Sequence, residues 1–223
     1  MPYSKEQAVT NTDKTFFQLR RAIVEGEIPP GSKLSEVELS SRYSVSRAVI
    51  REAINRLESC YLVERKPNVG ARVVTLTPEG LVELYQVRES LEGMAARLAA
   101  KNMTDQEIAD LNDLLESHQQ TIQDGDRYYQ EAGDVDFHYR IIQGSKNKHL
   151  ISMLIDGIYH LVRMYRVQLG MAGPRITTAF DEHKHVVRAI SYRDEELAEM
   201  LMRRHILYSK NSIEKKLAET KPS

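Results

Sequence analysis

Hydrophobic residues recur every three to four positions along most of the chain, which is the spacing of amphipathic helices. Before residue 60 this pattern predicts three short helices, over about residues 13–25, 35–43 and 46–59. The first places Phe16, Leu19 and Ile23 at helical spacing. The third places Ile50, Ile54 and Leu57 on one face, where they can pack in a core. Another face of the third helix carries Arg47 and Arg51, four residues apart. The third helix therefore has one side for a core and one for solvent or a ligand.

The pattern changes after the third helix. Residues 64–74 predict two short extended stretches around a turn at Pro67–Gly70. Three helices followed by such a two-stranded wing make a winged helix-turn-helix. From Thr77-Pro78 to about Leu217 only helical periodicity follows, enough for about six helices. We predict a mainly α protein, with a winged helix-turn-helix domain over 1–76 and an all-α bundle over 77–223.

Composition narrows the class of protein. The 223 residues are 41% hydrophobic and 28% charged, an ordinary globular mixture, and no apolar run is long enough to cross a membrane. Cys60 is the only cysteine, which excludes a disulfide framework. The first residues lack the pattern of a secretory signal, so we expect a cytoplasmic protein. The formal net charge is −1, but basic residues outnumber acidic ones up to Thr75 and the reverse holds beyond it. This asymmetry favours a nucleic-acid-binding module at the N-terminal side.

The predicted third helix and wing carry candidate DNA contacts. Arginines such as Arg47 and Arg51 suit bidentate hydrogen bonds to guanine edges or phosphates. Ser46 can cap the helix and donate to a phosphate, while Lys66 and Gly70 lie near the wing tip. An isolated pair of arginines would more often be a solvated surface feature.

The surrounding residues carry a more specific signal. The run from Gly26 to Glu36, with Pro30-Gly31 and Leu34, and the run Val45-Ser46-Arg47 to Leu57 resemble the GntR family of bacterial transcription regulators. The resemblance implies double-stranded operator DNA as partner, with Ser46, Arg47 and Arg51 in the major groove and Gly70 of the wing in the minor groove. Tyr61 departs from the family, which often has glycine there to end the third helix.

The bundle contains a candidate metal motif. Asp134 and His138 are four residues apart, so on a helix they share a face and could hold one ion. By spacing alone this signal is weak, since each of the seven histidines is more often a surface or core residue than a ligand.

A second resemblance covers the bundle from about Pro78 to Leu217. The stretch from Leu81 to Ala100, the motif around His138, and the pairs at Glu182-His183 and Arg204-His205 are similar to the FCD sensor domain of the FadR branch of this family. In its metal-binding members one Asp and three His converge, which implies a divalent metal (zinc, manganese, nickel or iron) held by Asp134, His138, His183 and His205. His185 is the main rival of His183, and His118, His149 and His160 are assigned to structure or surface.

Arg88 matches a family arginine that reaches the same cavity, and its guanidinium suits a carboxylate. The alternative is an intrahelical salt bridge to Glu92, four residues on. Arg88 and the metal together imply a small carboxylate effector. Tyr85, Tyr159 and Arg163 could also line this cavity or simply pack in a core.

These expectations define a function: a regulator, acting as a repressor, that binds operator DNA as a homodimer under the control of an organic acid. Dimerisation is expected because one recognition helix reads too few bases to be selective. Two alternatives stay open. A metal-dependent hydrolytic enzyme could use the same ligands to activate water, although the sequence shows no nucleophile motif. The metal could also be purely structural.

Overall fold

The structure is a computed structural model and describes residues 10–67, 69–123, 136–169 and 175–219. It divides into two compact units, one formed by Met1–Leu76 with Tyr159–Gln168 and the other by Thr77–Ile158 with Leu169–Ser223. Among the described helices, none combines the length and apolar character needed to cross a lipid bilayer.

The first unit contains the predicted winged helix-turn-helix. Its elements are α1 (Asn11–Val24), α2 (Glu36–Tyr43), α3 (Arg47–Ser59), β1 (Val63–Lys66) and β2 (Gly70–Val73). The two strands pair antiparallel, with Val63 opposite Val73 and Lys66 opposite Gly70. The buried residues of this unit include the predicted faces of α1 and α3, namely Phe16, Leu19, Ile23, Ile50, Ile54 and Leu57. The predicted wing and helices of this unit are confirmed.

Local signals explain where these helices begin and end. Thr10 and Asp13 form a reciprocal capping box at the start of α1. Ser35 caps α2, accepting from the backbone N–H of Glu38. After α3, Tyr61 adopts a left-handed backbone with φ 59°. A glycine would take this conformation without steric cost, which explains why the family often has one there.

A further helix, α8 (Tyr159–Leu169), contributes most of its length to the first unit. Met164 is fully buried in the same core as α1 and α3. Arg20 of α1 donates to Nε2 of His160 at 2.8 Å, and the Gln168 side chain donates to the Ile23 carbonyl at 2.9 Å. The sequence assigned residues 159–168 to the bundle, so the structure adds to the winged helix-turn-helix unit a fourth helix that we had not predicted.

The second unit is helical in all of its described parts. It comprises α4 (Pro78–Asn102), α5 (Asp105–Gln123), α6 (Phe137–Gly144), α7 (Lys148–Ile151), a π-helical stretch (Ser152–Ile158), α9 (Arg175–Ser191) and α10 (Glu195–Glu219). Because α7, the π-helical stretch and α8 follow one another without a break, the described helical segments after Thr77 number six, as predicted.

The two longest helices, α4 and α10, pack along each other. Gly93 lies at their contact, where an added Cβ would sit 2.5 Å from Cγ of Arg203. The absence of a side chain therefore sets how closely these two helices approach. Since α4 carries Arg88 and α10 carries His205, the contact helps to place both candidate site residues.

Candidate nucleic-acid interface and candidate metal centre

The N-terminal end of α3 presents three of the predicted DNA contacts to solvent. Ser46 is the N-cap residue and accepts from the Val49 N–H at 3.3 Å. Arg47, the first helical residue, is exposed. The orphan N–H groups and positive dipole of a helix N-terminus favour a phosphate at this position. The arrangement is therefore suited to docking on a DNA backbone.

Arg51 is exposed but paired within the unit. Its Nε and Nη2 donate to the two carboxylate oxygens of Glu36 at 3.0 and 2.8 Å. This bidentate hydrogen bonding raises the pKa of Arg51 and lowers that of Glu36. The guanidinium of Arg51, which the sequence analysis assigned to DNA, is thus already bound to Glu36. To bind Arg51, DNA has to displace this carboxylate.

The wing places its two candidate residues beside each other, as the pairing of Lys66 with Gly70 shows. Lys66 is exposed and forms an ion pair with Glu64 at 2.9 Å. Gly70 has φ 87°, and an added Cβ would meet no atom within 4 Å. The surroundings of Gly70 are open to an approaching backbone, while its positive φ explains the glycine.

Three histidines from three helices of the second unit converge in its core. His138 of α6, His183 of α9 and His205 of α10 are 4%, 2% and 3% exposed. One ring nitrogen from each lies within 4.8 Å of the others. His185 is exposed on α9 and lies outside this cluster, as does the exposed His149. Asp134, the fourth predicted ligand, lies outside the described residues.

Two carboxylates set the tautomers of these imidazoles. Nδ1 of His138 is 2.6 Å from Oε2 of Glu92, and Nδ1 of His205 is 2.7 Å from Oε2 of Glu182. A carboxylate can only accept, so each Nδ1 carries the proton and each Nε2 presents its lone pair. The Nε2 atoms of His138 and His205 are 3.3 Å apart, so two lone pairs face each other and call for a cation between them.

The distances fit a metal ion. Nε2 of His205 is 3.2 Å from Nε2 of His183 and 3.3 Å from that of His138. Two imidazole ligands at about 2.0–2.1 Å from one ion, at octahedral (about 90°) or tetrahedral angles, are about 2.8–3.4 Å apart. The donor set is also suitable, since imidazole binds zinc, nickel and iron. The three histidines could therefore hold a divalent metal.

Burial and partners fix the protonation states around the cluster. Burial lowers the pKa of His205 to about 4 despite its hydrogen bond to Glu182. Burial would raise the pKa of Glu92, but the charge of Arg88 and the hydrogen bonds from Arg88 and His138 hold it below its usual range. Near neutral pH the ring of His205 is thus neutral and ready to ligate, while Glu92 is ionised. The ring of Phe137 stacks on His183, with centroids 3.9 Å apart.

Arg88 lies in the same buried site. It is 3% exposed, and its Nε donates to Oε1 of Glu92. The intrahelical pair that spacing had offered as an alternative is therefore formed. One carboxylate serves both Arg88 and His138, so Glu92 joins the predicted effector residue to the candidate metal centre.

The sequence missed the role of two glutamates. Glu92 entered only as the alternative partner of Arg88, and Glu182 only as a neighbour of His183. Their hydrogen bonds to His138 and His205 span separations of 46 and 23 residues, which no local pattern reveals. Of the other cavity candidates, Tyr85 lies in the second unit, whereas Tyr159 and Arg163 belong to the first.

Comparison with known proteins gives both parts of the chain a family. Residues 11–73 match the model described as bacterial regulatory proteins, gntR family, and residues 83–208 match the FCD domain. The Nta operon transcriptional regulator of Aminobacter aminovorans is 31% identical over 79% of this chain and 82% of its own length. The gluconate operon transcriptional repressor of Bacillus subtilis is 30% identical over 82% of this chain and 77% of its own. The solved structure of E. coli McbR/YncC covers 94% of this chain and 99% of its own with a TM-score of 0.72 at 23% identity, a likeness of fold.

Proposed function

The chain belongs to the gntR family of bacterial regulatory proteins and carries an FCD domain, and we propose that it is a repressor that releases operator DNA when a small carboxylate binds beside a divalent metal in the FCD domain. Membership of this family makes the chain a transcriptional regulator. The metal, the carboxylate and the direction of the response are proposals. The observation that carries them is a cluster of three buried histidines, in which Nε2 of His205 lies 3.2 Å from Nε2 of His183 and 3.3 Å from Nε2 of His138, in the same site as a buried arginine.

DNA recognition is assigned to Ser46, Arg47 and Arg51 at the start of α3, with Lys66 and Gly70 of the wing. The support is their exposure on one reading helix and one hairpin. A single helix of this kind reads only a few base pairs, so the proposed active form is a homodimer on a palindromic site.

The DNA assignment is tested by operator affinity measured by fluorescence anisotropy. Arg47→Ala with Arg51→Ala should weaken specific binding by about 1–3 kcal/mol for each lost base contact. Arg21→Ala is a matched control, because Arg21 is also an exposed arginine of this unit in an ion pair, with Glu25. Equal affinities of the double variant and the control would remove these arginines from the interface.

The metal is assigned to His138, His183 and His205, with Asp134 as the fourth ligand from the resemblance to the metal-binding FCD domains. The spacing to His138 does not support this ligand, because α6 begins only at Phe137. A bound divalent ion would supply a Lewis-acidic position for an effector oxygen. Within the chain, Glu92 and Glu182 hold two of the imidazoles with Nε2 towards the ion, and such partners are worth about 10–100-fold in metal affinity.

Arg88 is assigned to the carboxylate of the effector. Its Nε is taken by Glu92, and its two terminal nitrogens make no hydrogen bond to a described residue. These nitrogens form the side of the guanidinium fork that matches a carboxylate. The pair with Glu92 and the binding of an effector are therefore compatible roles.

The central experiment compares His205→Ala with His185→Ala, which removes an exposed histidine two residues from His183. We expect His205→Ala to lower the metal content of untagged protein, and to abolish the response of operator affinity to a panel of organic acids that includes gluconate. His185→Ala should retain both. A typical allosteric coupling of about 1–3 kcal/mol corresponds to roughly a 5- to 150-fold change in operator affinity.

Two results would change the proposal. If His205→Ala loses the metal but keeps the response to organic acids, the metal is structural. If His185→Ala loses the metal while His183→Ala keeps it, the ligand set is wrong.

A further inference from the structure

Tyr85 is a buried tyrosine whose hydroxyl is not used by the fold. It lies on α4 and is 1% exposed. Among the residues that the structure describes, its Oη has no hydrogen-bond partner. Buried tyrosine hydroxyls nearly always have one, because leaving such a group unsatisfied costs free energy. The unsatisfied hydroxyl of Tyr85 therefore either destabilises the core or serves to bind a ligand.

The surroundings of Tyr85 favour a ligand. Residues 85, 88 and 92 are spaced by three and four along α4, so Tyr85, Arg88 and Glu92 share one helix face. The guanidinium carbon of Arg88 lies 5.1 Å from the centre of the Tyr85 ring. The ring of Tyr85 thus lies beside the guanidinium of Arg88, and the two side chains form one end of the site.

The chemistry of these groups selects one class of ligand. Arginine offers only donors, and a phenol hydroxyl can donate as well. The nearby carboxylate of Glu92 already accepts from Arg88 Nε and His138 Nδ1. What this end of the site lacks is an acceptor for the Tyr85 hydroxyl and the terminal nitrogens of Arg88. Glu92 already balances the charge of Arg88, so an anionic acceptor would offset the charge of the divalent ion proposed on the neutral imidazoles.

We propose that Tyr85 is a ligand-binding residue whose hydroxyl donates to the carboxylate of the effector, alongside the terminal nitrogens of Arg88. This inference rests on the proposed function, because it names a second group for the same effector. It divides the effector site in two: Tyr85 and Arg88 select the carboxylate, and the histidines hold the ion.

The test is Tyr85→Phe in the full-length, metal-loaded chain, since this change removes only the oxygen. Without an acid, the melting temperature should stay the same or rise, because the lost hydroxyl had no partner. Isothermal titration calorimetry with acetate, malonate and citrate should show affinity for the best-binding acid lowered by about tenfold or more, as for a hydrogen bond to a charged group. Stability kept while affinity is lost is a combination that a packing role does not produce.

Two control variants separate this inference from the proposed function. Arg88→Lys keeps the charge beside Glu92 but loses the fork, so it should also weaken acid binding. Tyr165→Phe alters another buried tyrosine, 3% exposed and in the first unit, and should leave acid affinity unchanged.

The other possible outcomes contradict either the role of Tyr85 or the proposed effector class. If Arg88→Lys weakens binding and Tyr85→Phe does not, the role of Tyr85 is wrong and the proposed function stands. If Tyr85→Phe lowers the melting temperature of the acid-free protein, the hydroxyl has a structural partner and the inference falls. If no carboxylate binds the wild-type chain, the proposed effector class fails and the inference fails with it.

Discussion

Two arginine–glutamate pairs of this protein have the same chemistry in opposite environments. Arg51 and Glu36 form a bidentate pair on the DNA-reading unit, with side chains 57% and 28% exposed. Arg88 and Glu92 form a pair in the bundle, with side chains 4% and 5% exposed. Water can reach and replace either partner of the first pair, whereas burial shields both partners of the second pair from water.

This difference shows how each site is prepared for its ligand. The exposed pair holds Arg51 weakly, because surface ion pairs contribute only about 0–1 kcal/mol, so DNA can take over the guanidinium. The buried pair fixes Arg88 and, through Glu92, the ring of His138. The proposed reading surface can therefore adjust to a sequence, while the proposed metal and effector site is organised before anything binds.

The largest expected effect comes from breaking the buried pair. Glu92→Gln leaves the guanidinium of Arg88 without its counter-charge and weakens the acceptor of His138 Nδ1. Removing one partner of a buried pair typically costs about 3–5 kcal/mol, and losing such a support lowers metal affinity by about 10–100-fold. Urea unfolding and metal titration of the variant measure the two effects. A loss below about 1 kcal/mol would mean that water reaches this pair, and the contrast between the two sites would disappear.

Sequence reasoning succeeded where one residue type and one spacing carry the information. The core faces of α1 and α3 follow from helical period, and the wing follows from the turn at Pro67–Gly70. It was less informative where contacts join distant residues. The amphipathic pattern of Tyr159–Gln168 predicts a helix but does not say which core the helix joins. In the same way, Glu182 is next to His183 in the sequence, whereas its carboxylate on α9 is hydrogen-bonded to His205 on α10.

The second prediction concerns the pH dependence of stability. It tests whether a buried group makes stability sensitive to pH in the first unit as well as in the second. His160 of the DNA-reading unit is 7% exposed, and its Nε2 faces Arg20. Burial, with the charges of Arg20 and Arg163, lowers its pKa to about 3. The unfolded chain takes up a proton near pH 6.5 and the folded chain does not, so acidification favours unfolding. From pH 7 to pH 5 this group alone should remove about 2 kcal/mol of stability.

His160→Gln should flatten this acid dependence, since glutamine can accept from Arg20 without titrating in this range. Thermal or urea unfolding of wild type and variant at pH 7, 6 and 5 measures the difference. His149→Gln is the control, because His149 is exposed and its removal should leave the slope as it is in wild type. Parallel slopes for wild type and His160→Gln would mean that His160 is protonated in the folded protein.

The smallest expected effect on stability comes from the exposed pair of Arg51 and Glu36. It tests whether this pair, unlike the buried pair, contributes little to folding. Glu36→Gln leaves Arg51 in water, so the free energy of unfolding should change by less than about 1 kcal/mol. The same change removes a negative charge beside the reading helix and frees the guanidinium fork. Binding to operator and to random DNA should therefore both strengthen, by up to about fivefold, with the gain shrinking as salt is raised. Anisotropy titrations at two salt concentrations measure this, with Glu25→Gln at the C-terminal cap of α1 as a control for the loss of one surface charge. If Glu36→Gln weakens operator binding instead, Glu36 orients Arg51 for the bases, and the exposed site is also organised in advance.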